Sequence, residues 1–260
     1  MDTPPADPTL LASAVDLLRS AGELTMTWFA NADLAIDTKG DGTPVTEADR
    51  AAERLLRERL ASIHPDDSVL GEEEADTIGT SDRTWIIDPI DGTKAFMRGV
   101  PLYSNLLAVT DAHGPLIGVI NLPALDTIVY AGRGLGCFRN GERVHVSDRA
   151  EPTRCLLSSS GFTHWPEAAL LGVKRAGFEL RTWGDGYGYA MVACGNIDAM
   201  VDPAVSLWDV APMPVILSEA GGRFTAVDGT DLVYQPGAVL SGVATNGAVH
   251  DAVLAALAAD

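Results

Sequence analysis

The chain has 260 residues, of which 47% are hydrophobic, and its 36 acidic and 18 basic side chains give a net charge of −18. This length can supply one large domain or two coupled smaller ones, with a buried core. The acidic charge argues against nucleic acid and anionic membrane surfaces as partners, because both require a basic footprint.

Two helices are predicted in the first part of the chain. Asp7 followed by Pro8 is typical of a helix start, and the apolar residues that follow fall on one helical face, which predicts a helix that runs to about Trp28. After a polar loop, Thr46 is placed to cap a second amphipathic helix, and Asp49 lies in its first turn. These helices would cover one face of whatever sheet follows.

From Ser68 the pattern changes to short apolar runs that are typical of strands. The predicted strands lie at residues 69–70, 85–87, 104–109, 116–121, 127–131 and 144–146. Turn dipeptides at residues 113–114 and 140–141 indicate that these strands form an antiparallel meander. We treat residues 1–150 as an N-terminal α+β half.

Beyond about Ala150, strands and helices alternate again. Strands are predicted at residues 156–160, 178–183, 199–201, 223–227 and 242–245, and helices at 166–176, 187–194, 209–220 and from 248 onward. We treat residues 151–260 as a C-terminal α/β half. The chain therefore predicts a layered α/β arrangement of sheets and helices.

The most informative motif follows the predicted strand at residues 85–87. Asp88 and Asp91 lie three residues apart at its end, where they can converge on one hard cation such as magnesium, which requires oxygen ligands. If Thr93 opens a helix, the backbone N–H groups of Gly92 and Thr93 can hold a phosphate group. The alternative is that this Asp-Gly pair is an ordinary turn.

Three other acidic positions have competing interpretations. Glu72 ends a short apolar run beside a glycine, which favours a ligand role, whereas Glu74 is better explained as a solvated charge. Asp49 occupies a capping-box position, so capping alone could account for it. Asp209 precedes a predicted helix, where a carboxylate is electrostatically favoured whatever the function. From these residues alone, Asp49 and Asp209 stay open.

Four motifs together resemble the inositol monophosphatase family. They are T-E-A-D at 46–49, G-E-E at 71–73, D-P-I-D-G-T at 88–93 and W-D-V-A at 208–211, in the family's order and spread over nearly the whole chain. The resemblance implies an alternating α/β/α/β/α sandwich, usually a homodimer, with the active site at the seam between the halves. It also implies that two or three magnesium ions are held by Glu72, Asp88, the carbonyl of Ile90, Asp91 and Asp209.

The resemblance further implies a phosphatase mechanism without a covalent phospho-enzyme. In that mechanism a metal-activated water would attack the phosphate in line, and Asp49, Glu72 and Thr93 would be the catalytic residues that orient and deprotonate this water. The resemblance also implies that Asp91, Gly92 and Thr93 bind the phosphate. The chain departs from the family pattern where an asparagine often stands, at Ala95, and where a small residue is usual, at Pro212.

The substrate is predicted from acidic residues in the second half. Asp185 lies in a G-D segment that resembles the histidinol-phosphate phosphatase branch of the family, and Asp202 lies at a substrate-contact position seven residues before Asp209. These carboxylates suit a positively charged leaving group, because an amino alcohol gains charge-assisted hydrogen bonds from an acid. Alternatively, Asp185 is a turn residue and Tyr187 and Tyr189 are packing residues.

We therefore predict hydrolysis of L-histidinol phosphate, with inositol monophosphate or a broader range of sugar and nucleotide phosphates as the alternative. A non-catalytic regulatory or scaffolding member of the fold is the hypothesis from another class, since fold alone does not establish activity. Retention of every expected metal-binding carboxylate argues against it. The predicted partners are a small phosphorylated metabolite and a second copy of the chain.

The expected compartment is the cytoplasm. Residues 1–7 contain prolines and acids where a secretory signal would have basic and then apolar residues, so the mature protein is expected to begin near Met1. The longest stretch without charge, residues 232–250, is interrupted by Pro236 and several glycines and is not a membrane span. Cys137, Cys155 and Cys194 are odd in number and widely spaced, which is typical of free thiols in a reducing compartment.

Overall fold

Two large β-sheets separated and flanked by helices make up most of the structure, a computed structural model that describes residues 3–31, 36–38, 44–234 and 239–259. The first helices are α1 (Pro8–Met26) and α2 (Glu47–Ile63), and a short hairpin of β1 (Ile36–Thr38) and β2 (Pro44–Thr46) lies between them. Asp7 caps α1, as predicted, by accepting a hydrogen bond from the N–H of Thr9 at 2.8 Å. Helix α1 ends slightly earlier than predicted, and a turn covers residues 27–30.

The larger sheet has seven strands in sequence order. They are β3 (Ser68–Gly71), β4 (Thr84–Asp91), β5 (Ser104–Asp111), β6 (Gly114–Leu122), β7 (Thr127–Gly132), β8 (Gly136–Arg139) and β9 (Glu142–Arg143). Strand β3 is parallel to β4, and the rest form the predicted antiparallel meander. The prediction of a strand at residues 144–146 is wrong. Strand β9 ends at Arg143 and the N–H of Val144 still donates to the carbonyl of Cys137 at 3.0 Å, but the N–H of Val146 donates to the carbonyl of Ala220 at 3.1 Å.

The smaller sheet has five strands in the order β11-β10-β12-β14-β13. They are β10 (Leu156–Ser158), β11 (Glu179–Arg181), β12 (Ala199–Val205), β13 (Arg223–Thr225) and β14 (Leu240–Thr245). The helices of this half are α4 (Glu167–Ala176), α5 (Asp185–Ala193), α6 (Leu207–Val210), α7 (Met213–Glu219) and α8 (His250–Leu257), and the short α3 (Thr93–Phe96) belongs to the first half. Strands β10, β11 and β12 are parallel, whereas β14 runs antiparallel to both of its neighbours.

The helix predicted over residues 209–220 is divided at Pro212. Helix α6 ends at Val210, and Pro212 caps α7 with a φ of −75°. Proline has no N–H to give to an earlier carbonyl and its ring crowds that carbonyl, so it is tolerated at a helix start but not in a helix interior. The separate short α6 is the element that carries Asp209.

Five layers follow from the packing. Helices α1 and α2 cover one face of the larger sheet, α5 and α7 lie between the two sheets, and α4 and α8 pack together over the smaller one. This arrangement confirms the predicted α/β/α/β/α sandwich. The boundary near residue 150 stays a prediction, because the central core contains side chains from both halves, among them Ile120 and Met200. Across the described residues, the structure has no helix with the length and apolar character to cross a membrane.

Candidate active site

Three carboxylates from different parts of the chain meet where the two halves join. Oxygens of Asp88, Asp91 and Asp209 all lie within 4.8 Å of one another. Asp88 and Asp91 end β4, whereas Asp209 comes from α6, which packs against β4 and β5. Asp88 and Asp91 are buried, with 1% and 7% exposure. Such a set of close oxygen ligands suits a divalent cation.

A local irregularity in β4 turns the two aspartates toward the same place. The pairing of β4 with β5 shifts register between Asp88 and Asp91. The side-chain amide of Asn105 donates to the carbonyl of Pro89 at 2.6 Å, and the N–H of Ile90 donates to Oδ1 of Asp88 at 3.1 Å. These bonds occupy backbone groups that the bulge removes from the strand ladder, so the bulge is held in one conformation.

Asp91 also connects the two halves of the protein. Its Oδ2 accepts a hydrogen bond from the hydroxyl of Ser104 at 2.5 Å and another from the N–H of Gly186, in the first turn of α5, at 2.6 Å. Both bonds end on the same oxygen, which leaves Oδ1 available to a cation. The start of α5 is thereby fixed against the carboxylate cluster.

The loop after Asp91 requires glycine for two reasons. Gly92 has a φ of +77°, in the left-handed region, and caps α3. A Cβ atom at Gly92 would also lie 2.9 Å from Oδ2 of Asp185, so that carboxylate lies directly over the loop. Thr93 begins α3 as predicted, and its hydroxyl donates to the carbonyl of Ile90 at 3.2 Å.

Glu72 and Asp49 border the cluster on its other side. Burial is the main cause of the raised pKa values of Asp88, Asp49 and Asp209, and repulsion from the carboxylate of Glu72, just after β3, raises each of them further. Asp49 is buried in the first turn of α2, where its Oδ2 accepts hydrogen bonds from the N–H and hydroxyl of Thr46 at 2.8 and 2.5 Å. The capping interpretation of Asp49 is therefore confirmed, and the same carboxylate lies within electrostatic reach of Glu72.

Burial dominates the electrostatics of all these acids. It raises the pKa of Asp88 and of Asp91 well above the ordinary value, and repulsion among the neighbouring carboxylates adds to the shift. Burial likewise raises the pKa of Asp209 to about 7 and that of Asp49 to about 6, against the effect of their backbone hydrogen bonds. A bound divalent cation would compensate this repulsion, so the donor set fits magnesium.

Asp185 has a strained backbone. It begins α5 with a φ of +54°, and its N–H donates to the hydroxyl of Ser160 at 2.8 Å. The left-handed region is uncommon for residues other than glycine and, where it is held by surrounding structure, is often associated with function. Burial raises the pKa of this carboxyl to about 6, with a further contribution from Asp202, while the cation of Lys94 opposes the shift.

Asp202 lies behind Asp185, and both of its carboxylate oxygens accept hydrogen bonds from other residues of the protein. Its Oδ1 accepts hydrogen bonds from the hydroxyl of Ser159 at 3.2 Å and from the N–H of Ser160 at 2.9 Å. Its Oδ2 accepts from the hydroxyls of Ser160 at 2.9 Å and Tyr189 at 3.0 Å. Tyr189 is buried, so its packing interpretation is confirmed, and Ser160 links Asp202 to the N–H of Asp185.

Comparison with known proteins establishes the family. The family model described as "Inositol monophosphatase family" matches residues 7–260. The chain belongs to this family. It is therefore a phosphatase, a phosphoric monoester hydrolase, as the four motifs had predicted.

Individual relatives cover nearly the whole of this inositol monophosphatase family member. A histidinol-phosphatase of Mycobacterium tuberculosis is 43% identical over 256 residues, which cover 95% of this chain and 97% of the relative. A histidinol-phosphatase of Streptomyces coelicolor is 38% identical and covers 92% of both chains. The solved structure of a Thermotoga maritima IMPase has a TM-score of 0.87 and 31% identity, with 96% of both chains covered.

The predicted site residues of this family member fall into two groups in space. The carboxylates of Asp88, Asp91 and Asp209 form the close cluster, and Glu72 stands beside it, next to Asp88. The other predicted residues surround it, namely Asp49, Ile90, Gly92, Thr93, Asp185 and Asp202. Ala95, one of the two departures from the family pattern, packs against a small apolar cluster that includes Phe96 and Tyr103.

Sequence reasoning missed three polar residues that hold site residues in place: Ser104, Ser160 and Glu53, the last of which is described below. None of them belongs to a motif. The cysteines are free thiols, as predicted, and burial raises the pKa of Cys137 to about 12. His250 is buried, and its two ring nitrogens are hydrogen-bonded to the hydroxyls of Thr225 and Thr245.

Proposed function

We propose that this protein is a magnesium-dependent phosphatase that converts L-histidinol phosphate to L-histidinol. The observation that carries the proposal is the position of the Asp185 carboxylate, directly over the glycine loop that follows Asp91. A partly buried acid beside a loop that would bind phosphate suits a substrate with a cationic amine near its phosphate group. The similarity to histidinol-phosphatases over nearly the whole chain supports the same substrate.

The carboxylate cluster supports the choice of cofactor. Asp88, Asp91 and Asp209 would hold magnesium, with Glu72 and the carbonyl of Ile90 completing the ligands of two or three ions. When bound, these ions would neutralise phosphate charge and lower the pKa of a water molecule. The raised pKa values of Asp88 and Asp91 are consistent with carboxylates whose negative charges are compensated better by a bound cation than by protons.

The surrounding residues have complementary roles in this proposal. Asp49, with a pKa of about 6, would be deprotonated at neutral pH and able to accept a proton from the attacking water. The hydroxyl of Thr93 would orient that water, since its own bond to the Ile90 carbonyl fixes the rotamer. The N–H groups of Gly92 and Thr93 would donate hydrogen bonds to the phosphate, and Asp91 would bind it through the cation that this carboxylate holds.

On the substrate side, Asp185 and Asp202 would have different roles. We assign the contact with the substrate amine to Asp185, and Asp209 would bind the substrate next to its ester oxygen. Asp202, whose oxygens already accept four hydrogen bonds from the protein, would act by holding Ser160 and thereby Asp185. This refines the expectation that Asp202 touches the substrate.

Inositol monophosphate is the second candidate, favoured by the similarity to the Thermotoga maritima IMPase. The deciding experiment compares phosphate release from L-histidinol phosphate and inositol 1-phosphate, with magnesium and with EDTA. Magnesium-dependent release that strongly favours histidinol phosphate is the expected result. Preference for inositol phosphate would overturn the substrate, and no release from either ester would favour a non-catalytic role.

We further propose that the enzyme works as a cytoplasmic homodimer. The acidic composition and the free cysteines support the compartment. Light scattering coupled to gel filtration measures the assembly directly, and a mass of about one chain, 27.3 kDa, would contradict the dimer.

A further inference from the structure

A buried carboxylate outside the motifs holds the segment that carries Glu72. Glu53, in α2, has a side chain with 0% exposure. Its Oε2 accepts a hydrogen bond from the N–H of Glu73 at 2.8 Å, and its Oε1 accepts from the N–H of Glu74 at 3.1 Å. The two residues after Glu72 are therefore bound through their backbone to one side chain of a neighbouring helix.

Arg57 completes this arrangement one helical turn later. Its Nε donates to Oε1 of Glu53 at 2.8 Å, while its other nitrogens donate to the carbonyl of Glu74 at 3.1 Å and the hydroxyl of Thr77 at 3.2 Å. Arg57 thus neutralises the buried acid and grips the same segment from its carbonyl side. We call Glu53, Arg57 and the backbone of residues 73–74 the acidic-loop clamp.

Gly71, the residue before Glu72, leaves room for the carboxylate of Glu53 because it has no side chain. A Cβ atom at Gly71 would lie 2.1 Å from Oε1 of Glu53, far inside any real contact. The carboxylate therefore lies directly against the backbone at the end of β3. The position of Glu72 depends on this contact, because the clamp fixes the chain on both sides of it.

The clamp also connects the segment that carries Glu72 with the helix that carries Asp49. Asp49 and Glu53 are four residues apart on α2, so they lie on the same face of one helix. Asp49 faces the site and Glu53 holds the loop, which places both acids of this side on one rigid element. Buried ion pairs are costly to desolvate and contribute little net stability, so a gain in stability is a weak explanation for this one.

We propose that Glu53 is a positioning residue for cation binding, which holds Glu72 in ligand geometry through the acidic-loop clamp. This inference rests on the proposed magnesium dependence. Glu53→Gln tests it, because the amide must turn its NH₂ toward the N–H of Glu73 or toward the donors of Arg57 and Glu74. One donor then faces another donor, and the clamp loosens while the size of the side chain is kept.

The experiment measures magnesium binding by calorimetry for the wild-type protein, Glu53→Gln and the matched control Glu58→Gln, which removes the same charge from an exposed position of α2. Loss of outer support for a metal ligand weakens binding by about 10- to 100-fold. We expect that change in Glu53→Gln and a change below about twofold in the control. Turnover at saturating magnesium should recover to within a few-fold, and the KM for the phosphate ester should be unchanged.

Two outcomes would overturn the inference. A Glu53→Gln protein that melts at lower temperature but binds magnesium as the wild type does would reduce Glu53 to a structural role. A wild-type protein that binds no magnesium would remove the proposed function, and this inference with it. Should Glu53→Gln fail to fold, Gly71→Ala decides, because its Cβ displaces the same carboxylate from the loop side and should weaken magnesium binding in the same way.

Discussion

Two sides of the candidate site use the same residue type in opposite ways. On the cation side, formed by Asp88, Asp91 and Asp209, each carboxylate accepts a backbone N–H on one oxygen while the three lie within 4.8 Å of one another. On the substrate side, Asp202 accepts four hydrogen bonds from the protein itself. Buried aspartates are thus distinguished by the number of donors that the fold already supplies to them, and an acid with oxygens left over is the one to which a ligand can bind.

Asp88→Asn should have the largest effect, because it changes a carboxylate at the centre of the cation side. An amide offers one oxygen and no charge, so cation binding and turnover should both fall, the latter by about 10³-fold, equivalent to several kcal/mol of lost electrostatic stabilisation. Turnover and calorimetric magnesium titrations check this, with Asp16→Asn, an exposed aspartate of α1, as the control. Retention of full activity at millimolar magnesium would contradict the assignment of Asp88.

Asp49→Asn should affect proton transfer without affecting cation binding. Because Asp49 stands beside the cluster rather than in it, magnesium binding should persist, while turnover falls by about 10²-fold or more through loss of the general base. Single-turnover rates at saturating magnesium measure the effect, with calorimetry as the parallel test of cation binding. Unchanged turnover would remove Asp49 from the mechanism.

Asp185→Asn addresses the substrate side and should act on only one of the two candidate esters. Asparagine tolerates the left-handed conformation that Asp185 adopts, so the backbone is kept while the negative charge is lost. We expect kcat/KM for histidinol phosphate to fall by about 10- to 100-fold, the value of a charge-assisted hydrogen bond. Inositol 1-phosphate serves as the internal control, and an equal loss on both esters would argue that Asp185 supports the fold rather than the amine.

Without magnesium, repulsion among the carboxylates of the cation side should make the stability of the protein depend on pH. The folded-state pKa of Asp209 is about 7, above its unfolded value of 3.8, so the folded protein binds more protons between these values and its stability falls as pH rises through them. In EDTA, Tm should therefore be lower at pH 8 than at pH 5.5, by about 2 °C or more. Magnesium should cancel much of this difference, and an identical pH dependence with and without the ion would contradict the cation site.

The sequence predicts the motif residues of the site better than the residues that hold them in place, for a physical reason. Asp88, Gly92 and Thr93 belong to one continuous segment whose strand, turn and helix start are encoded locally, so their arrangement follows from the motif. The residues that hold the site are distant from what they hold. Ser104 lies 13 residues from Asp91, and Ser160 lies 25 residues from Asp185.

The same distinction applies to the fold. The meander and the helix starts are predicted because alternation, turn dipeptides and capping residues are local signals. Residues 144–146 look like a strand, but they follow the end of β9, and Val146 bonds to Ala220 outside the sheet. Their apolar pattern reflects burial against the second half, which periodicity alone does not distinguish from strand pairing. Pro212 is a similar case, since local rules tolerate it near a helix start but do not say which helix it begins.

Ser160→Ala should give the smallest effect and the sharpest test of how the substrate side works. The hydroxyl donates to Asp202 and accepts the N–H of Asp185, so its loss leaves the carboxylate of Asp185 in place but its strained backbone less firmly held. We expect kcat/KM for histidinol phosphate to fall by about three- to tenfold, which corresponds to one net hydrogen bond. Magnesium binding should not change.

Ser241→Ala provides the matched control, because its hydroxyl accepts the N–H of Val227 at 3.1 Å in an exposed setting. A loss on histidinol phosphate that Ser160→Ala shares with Asp185→Asn, but at lower magnitude, would mean that Asp202 and Ser160 work through Asp185. If Ser160→Ala instead weakens both esters equally, the hydrogen bonds around Asp202 serve the general shape of the site, and the preference for a cationic substrate must originate in Asp185 alone.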